Sequence, residues 1–148
     1  MTFSELSHYF KRLEDTASRN IMVEILAELF RRSGADEIGN LCYLLQGRIA
    51  PLFEPLEFGI ADKFMIRAIA LAYASPEVRV KKDFQELGDL GIAAETLAST
   101  NQKKRETSPT VPHVFTRLYA LARESGQGSQ EKKIAMLAEL LSVVDPLS

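Results

Sequence analysis

Two short stretches could do chemistry with backbone rather than side chains. Gly88-Asp89-Leu90-Gly91 joins two helical runs so that the second begins at the turn. A helix N-terminus presents unpaired N–H groups and a partial positive charge, and glycine lets a phosphate approach the backbone closely. The same four residues also make a plain helix junction, a glycine C-cap followed by an aspartate N-cap, and taken alone they read first that way. Gly47-Arg48-Ile49-Ala50-Pro51 ends another helix with a cation just past it. Lys103-Lys104-Arg105 is by default a solvated loop. Its alternative role is phosphate neutralisation, with Ser99, Thr100 and Gln102 as further hydrogen-bond donors.

Side-chain catalysis has little to work with. His8 and His113 are the only histidines; each lies near a helix start, without carboxylates at metal-ligand spacing, and reads as a surface or boundary residue. The lone Cys42 cannot form an internal disulfide, and its apolar neighbours Leu41 and Tyr43 suggest a buried structural thiol. No phosphate-cradling P-loop and no nucleophile elbow occurs. Glu24 with Glu28, and Asp36 with Glu37, fall where solvated helix faces would place them.

The elements that must carry these residues are helical. Leu and Ala supply 35 residues against 16 for Val and Ile, a bias toward helix. Leu6, Tyr9, Phe10 and Leu13 mark a first helix over 4–14. Thr16 or Ser18 can cap a second, striped by Met22, Ile25, Leu26, Leu29 and Phe30 and stopped by Gly34. Asp36 opens a third that runs over 38–46, and Pro51, Pro55 and Gly59 punctuate a loop. An apolar helix over 61–74 follows. Ser75-Pro76-Glu77 then reads as cap, first-turn proline and acid, starting a helix that carries Val78, Val80, Phe84 and Leu87 and ends at Gly88. A short helix over 89–98, a polar connection over 99–109, and two helices capped by Thr110 and Ser129 complete the chain. About eight helices and no convincing strand define one all-α domain over 1–148.

The 148 residues carry 18 basic and 20 acidic side chains, a formal charge of −2. That balance excludes a grossly basic nucleic-acid arm but allows a local basic surface. At 46% hydrophobic and 26% charged, the composition is that of a globular domain and excludes disordered, collagenous and coiled-coil classes. Neither a signal peptide nor an apolar run of bilayer length is visible, so a cytoplasmic protein without a membrane partner is expected.

Longer stretches go further. Tyr43-Leu44-Leu45-Gln46-Gly47-Arg48-Ile49-Ala50-Pro51 leads into Leu56-Glu57-Phe58-Gly59-Ile60-Ala61-Asp62-Lys63. Phe3-Ser4-Glu5-Leu6, Tyr9-Phe10-Lys11-Arg12-Leu13-Glu14 and the run from Met22 to Phe30 precede them. Gly88-Asp89-Leu90-Gly91-Ile92-Ala93-Ala94-Glu95, Val114-Phe115 and Lys132-Lys133-Ile134 with Leu137-Ala138-Glu139-Leu140-Leu141 follow in order. In these segments the chain resembles the N-terminal DNA-binding domain of ATP-dependent DNA ligases of the archaeal and eukaryotic replicative type, over nearly its whole length.

The resemblance implies an all-helical domain that grips nicked duplex DNA from the minor-groove side without reading sequence. The adenylation and OB-fold domains of the same ligase would close around the DNA, in replication, repair and recombination. Phosphate contacts suffice for that task. Arg48, Gly88, Gly91, Ser99, Thr100, Lys103 and Lys104 become the expected DNA-binding residues, and the bound protein would associate with the nucleoid. The family domain usually continues into further helices with another glycine-rich basic turn, so this chain reads as a fragment. It holds no Lys-x-Asp-Gly, the adenylation signature. ATP and Mg²⁺ therefore belong to the full ligase, and the chain alone is expected to be inactive. The alternative is a helical protein-interaction or scaffold piece that does not bind DNA.

Overall fold

A computed structural model describes residues 1–100 and 108–147. Among them eight helices follow in order: α1 (Phe3–Glu14), α2 (Arg19–Arg32), α3 (Ile38–Leu44), α4 (Asp62–Ala72), α5 (Glu77–Leu87), α6 (Leu90–Thr100), α7 (Val111–Arg123) and α8 (Ser129–Val143). The all-α expectation holds. The one β feature among the described residues is an isolated antiparallel bridge between Thr2 and Thr110. It ties two helix starts together, with Phe3 N–H donating to Pro109 O at 2.7 Å and Val111 N–H to Met1 O at 3.2 Å. Thr2 and Thr110 are also the N-caps of α1 and α7, and Thr2 forms a full capping box with Glu5.

Two principal cores result. Leu6, Tyr9, Ile25, Leu29, Leu41 and Val111 pack α1, α2, α3 and the start of α7 together. Ile69, Ala70, Tyr73, Val80, Leu97 and Ala98 do the same for α4, α5 and α6, with Leu141 of α8 against them. A smaller cluster of Val114, Leu140 and Val144 joins α7 to α8. Full burial of one such Leu or Ile is worth about 1.5–3 kcal/mol, so α8, packed on α4 as well as α7, couples the two halves.

Polar groups reinforce the first half. The buried Tyr9 donates its hydroxyl to Glu28 at 2.9 Å, Arg12 reaches the same carboxylate at 2.8 Å, and Arg32 donates to the Tyr9 oxygen at 3.0 Å. The Arg12 guanidinium lies over the Tyr9 ring, 5.1 Å from its centroid. Arg12 first, then Tyr9, holds the Glu28 carboxyl below its usual range.

Several local expectations change. Cys42 is exposed: Leu41 takes the inward position of the short α3, and the next residue lies about 100° around the helix. Glu37 is buried rather than solvated, because the amino-terminal ammonium docks on it at 2.7 Å and the Gly34 amide donates at 3.0 Å. Asp36 supplies no cap, since the N-cap position of α3 is Glu37, without a side-chain bond. Helix α3 ends at Leu44, and α2 gives way at Ser33, one residue before Gly34. Val78 is 80% exposed, as it must be when Val80, two residues and about 200° away, points inward. Pro76 occupies the N-cap of α5 and leaves Ser75 outside the helix. Gly128, in a left-handed conformation (φ 79°), caps α8, making Ser129 its first residue.

Candidate nucleic-acid interface

The junction of α5 and α6 is built by backbone geometry. Gly88 adopts φ 75° and closes α5 by donating its N–H to Phe84 O at 2.8 Å. That left-handed conformation favours glycine at this turn. Asp89 then caps α6: its Oδ1 accepts the Ile92 amide at 2.9 Å, and its carbonyl accepts the Ala93 amide at 3.2 Å. A Cβ at Gly91 would stand 3.0 Å from Asp89 Oδ1, so glycine there keeps room for the capping carboxylate. The Leu90 and Gly91 amides precede the first intrahelical bond and face the outer end of the helix, with Gly91 exposed. The turn thus combines two outward N–H groups with a carboxylate beside them.

Ser99 and Thr100 lie at the opposite end of α6, about 15 Å away along a helix that rises 1.5 Å per residue. They form its last turn rather than the start of a loop, and both are exposed. Thr100 Oγ1 donates back to Leu97 O at 2.9 Å and Thr96 O at 3.2 Å. A C-terminal turn is the negative end of the helix dipole, so an anion there needs cations close by. Lys103 and Lys104 follow in sequence but lie outside the described residues.

Arg48 sits in a different loop, between α3 and α4. Its Nε donates to Ala50 O at 3.2 Å and its Nη2 to Pro51 O at 3.3 Å. These bonds brace a tight turn closed by Glu54 N–H on Pro51 O at 3.1 Å, with Leu52 (80% exposed) and Phe53 (88%) at its tip. The far side of this loop is pinned from α8, where Lys133, only 6% exposed, donates to Phe58 O at 2.7 Å. The expected site residues therefore separate into two ends of one helix and a distinct, braced loop.

Two features of the region escaped the sequence reading. The Ser75 hydroxyl is buried without a hydrogen-bond partner, and with Arg79 and Thr100 it lines a cavity of about 270 Å³. The signal for Ser75 was Pro76 after it, which displaces the cap. Lys133 carried no local signal, because its acceptor lies 75 positions earlier. His8 and His113 are exposed. No group of three His, Cys, Asp or Glu among the described residues is arranged to hold a metal ion. Nor is any helix among them long and apolar enough to cross a membrane.

Eight helices among the described residues, with outward backbone amides at the α5–α6 turn, define an all-α domain. The chain belongs to the family described as DNA ligase N terminus, which it matches over residues 2–148. It is 42% identical over 146 residues to a probable DNA ligase of Dictyoglomus thermophilum, covering 99% of this chain and 24% of that protein. It is 40% identical over 146 residues to DNA ligase 1 of Methanosarcina mazei, with the same coverage. A probable DNA ligase of Aquifex aeolicus is 35% identical over 147 residues, again 99% of this chain and 25% of that protein. The chain thus spans about a quarter of the length of these relatives.

Proposed function

We propose that this chain is the DNA-gripping module of an ATP-dependent DNA ligase, binding nicked duplex DNA through its phosphates without reading sequence. The observation that carries this reading is the match to the ligase N-terminal family over 2–148. The α5–α6 turn adds two outward amides of the kind that position a backbone phosphate. In replication, repair and recombination the domain would hold the duplex while adenylation and OB-fold domains complete the enclosure. Lys-x-Asp-Gly does not occur in the chain, so no residue here is assigned to ATP or Mg²⁺. Adenylation belongs to the remainder of the ligase.

The cationic side chains in this reading are Arg48, Lys103 and Lys104, with Ser99 and Thr100 as hydroxyl contacts at the end of α6. With few cations available, affinity should fall in the non-specific range of roughly 10⁻⁴–10⁻⁶ M at physiological salt. Fluorescence anisotropy on nicked duplexes of two unrelated sequences tests this. Equal affinity for both is expected, and strong preference for one sequence contradicts it.

A second reading has its own observation. Leu52 and Phe53 project from the braced 51–54 turn, and exposed apolar groups can mark protein contacts. On that reading the chain is an interaction piece without DNA affinity. Sedimentation velocity separates the two: a monomer that binds DNA supports the first, and an associating species that ignores DNA supports the second.

A further inference from the structure

The helices sort into two lobes that share one element. Helices α1, α2, α3 and the start of α7 close on the core of Leu6, Leu29 and Leu41, and α4, α5 and α6 on that of Ile69, Val80 and Leu97. Helix α8 packs on both lobes, but unevenly. Toward α4 it is held firmly. Arg67 takes Glu131 bidentately at 2.9 and 3.0 Å, and the Tyr73 hydroxyl donates to Leu141 O at 3.2 Å. Lys133 donates to Phe58 O ahead of α4, and Leu141 packs against the α4–α6 core. Toward α7 the buried seam among the described residues is Val114, Leu140 and Val144. Its charged pairs, Arg117 with Glu139 and Lys132 with Glu124 at 3.6 Å, leave Glu139 and Lys132 largely in solvent, where an ion pair contributes little.

The backbone leaves room at two crossings between the lobes. The α7–α8 connection holds Gly126 (φ 90°) and Gly128 (φ 79°), and a Cβ at either would meet nothing within 4 Å. In the α3–α4 connection, Arg48 braces one stretch on the Ala50 and Pro51 carbonyls, and Lys133 pins the other at Phe58. A cavity of about 430 Å³ lies between the two, lined by Arg48 and Ala50 from the first and by Leu56 and Phe58 from the second.

We infer that the α7–α8 seam is a hinge. Helix α8 moves as one body with α4, α5 and α6, pivoting on α7 where Val114, Leu140 and Val144 meet, while the 124–128 connection gives at the other end. A small seam of this kind permits a swing that the larger core inside each lobe resists. Its use on DNA rests on the function proposed above. The Arg48 loop borders the first lobe, whereas the Leu90 and Gly91 amides belong to the second. A swing sets the distance between them and lets both reach the phosphates of one duplex.

The exposed Cys42 on α3 is the only cysteine of the chain and takes a nitroxide label. Gln85→Cys on α5 gives a second label across the hinge, and Val23→Cys on α2 gives one within the first lobe. Electron–electron distance measurements on the 148-residue protein, free and with nicked duplex, test the inference. The 42–85 distance should shift by more than about 2 Å on binding, and the 42–23 distance should stay. A protein that binds DNA with its 42–85 distance unchanged, or with its 42–23 distance shifted as much, would overturn the hinge and leave the function standing. If no DNA binds, the function fails and the free protein decides the hinge. A 42–85 distribution broader than the 42–23 distribution then supports it, and one equally narrow overturns it.

Discussion

Asp89 accepts the Ile92 amide at 2.9 Å and so places a carboxylate at the first turn of α6. The same residue stabilises the helix and opposes a phosphate arriving at the Leu90 and Gly91 amides. Asp89→Asn separates these effects, because asparagine caps about as well as aspartate. The variant should keep its melting temperature and bind nicked duplex about two- to five-fold more tightly, which corresponds to roughly 0.3–1 kcal/mol for one charge near a helix end. Weaker binding by a stable variant would place the DNA elsewhere.

Lys133 is buried on a backbone carbonyl rather than a carboxylate. Lys133→Met keeps the stem but leaves Phe58 O without its donor, a loss of about 1–3 kcal/mol. Urea unfolding should register it, and hydrogen exchange should rise first around residues 58–60. Gly59 is a companion case: its φ of +57° strains any residue with a Cβ, so Gly59→Ala should also lower stability, by about 1 kcal/mol.

The Glu28 carboxyl, held down first by Arg12 and then by Tyr9, gives a pH signature. Its folded pKa lies below the unfolded value near 4.5, so its contribution is complete above that value. It disappears as pH falls through the lower, folded pKa. Stability of the wild type should therefore drop more steeply below about pH 4.5 than that of Glu28→Gln. Parallel acid limbs in the two proteins would show that the pair with Arg12 adds nothing.

Most of the helical order was legible because it is written locally. Spacing marks the stripes of α1, α2 and α7, and Thr2, Ser18 and Thr110 sit where N-caps belong; of these Thr110 is legible in the sequence, Ser18 only as an alternative to Thr16, and Thr2 is not. What escaped depends on chain far away. Glu37 is buried by an amino terminus 36 positions earlier, and Lys133 by a loop 75 positions earlier. Val78 and Cys42 escaped for a different reason. Cys42 lies in an apolar run and Val78 between Glu77 and Arg79; their angular positions, about 100° from Leu41 and about 200° from Val80, put both outward.

At the site, the glycine turn reads as two alternatives, and the structure shows the helix junction: Asp89 is the cap, and the Leu90 and Gly91 amides face outward. Arg48 was marked for its charge, yet its hydrogen bonds run to its own loop. The Ser75 and Arg79 cavity needed the meeting of α4, α5 and α6, which no local pattern contains.

The central claim is a grip on nicked duplex led by phosphates, and its salt dependence tests it most directly. Binding of the 148-residue protein to a nicked duplex, followed across a salt series, should be measurable at low salt and weaken steadily. Each phosphate engaged adds about −0.9 to the log–log slope, and a shallow slope from a handful of phosphates is expected. No binding at low salt, or an affinity indifferent to salt, would contradict the account.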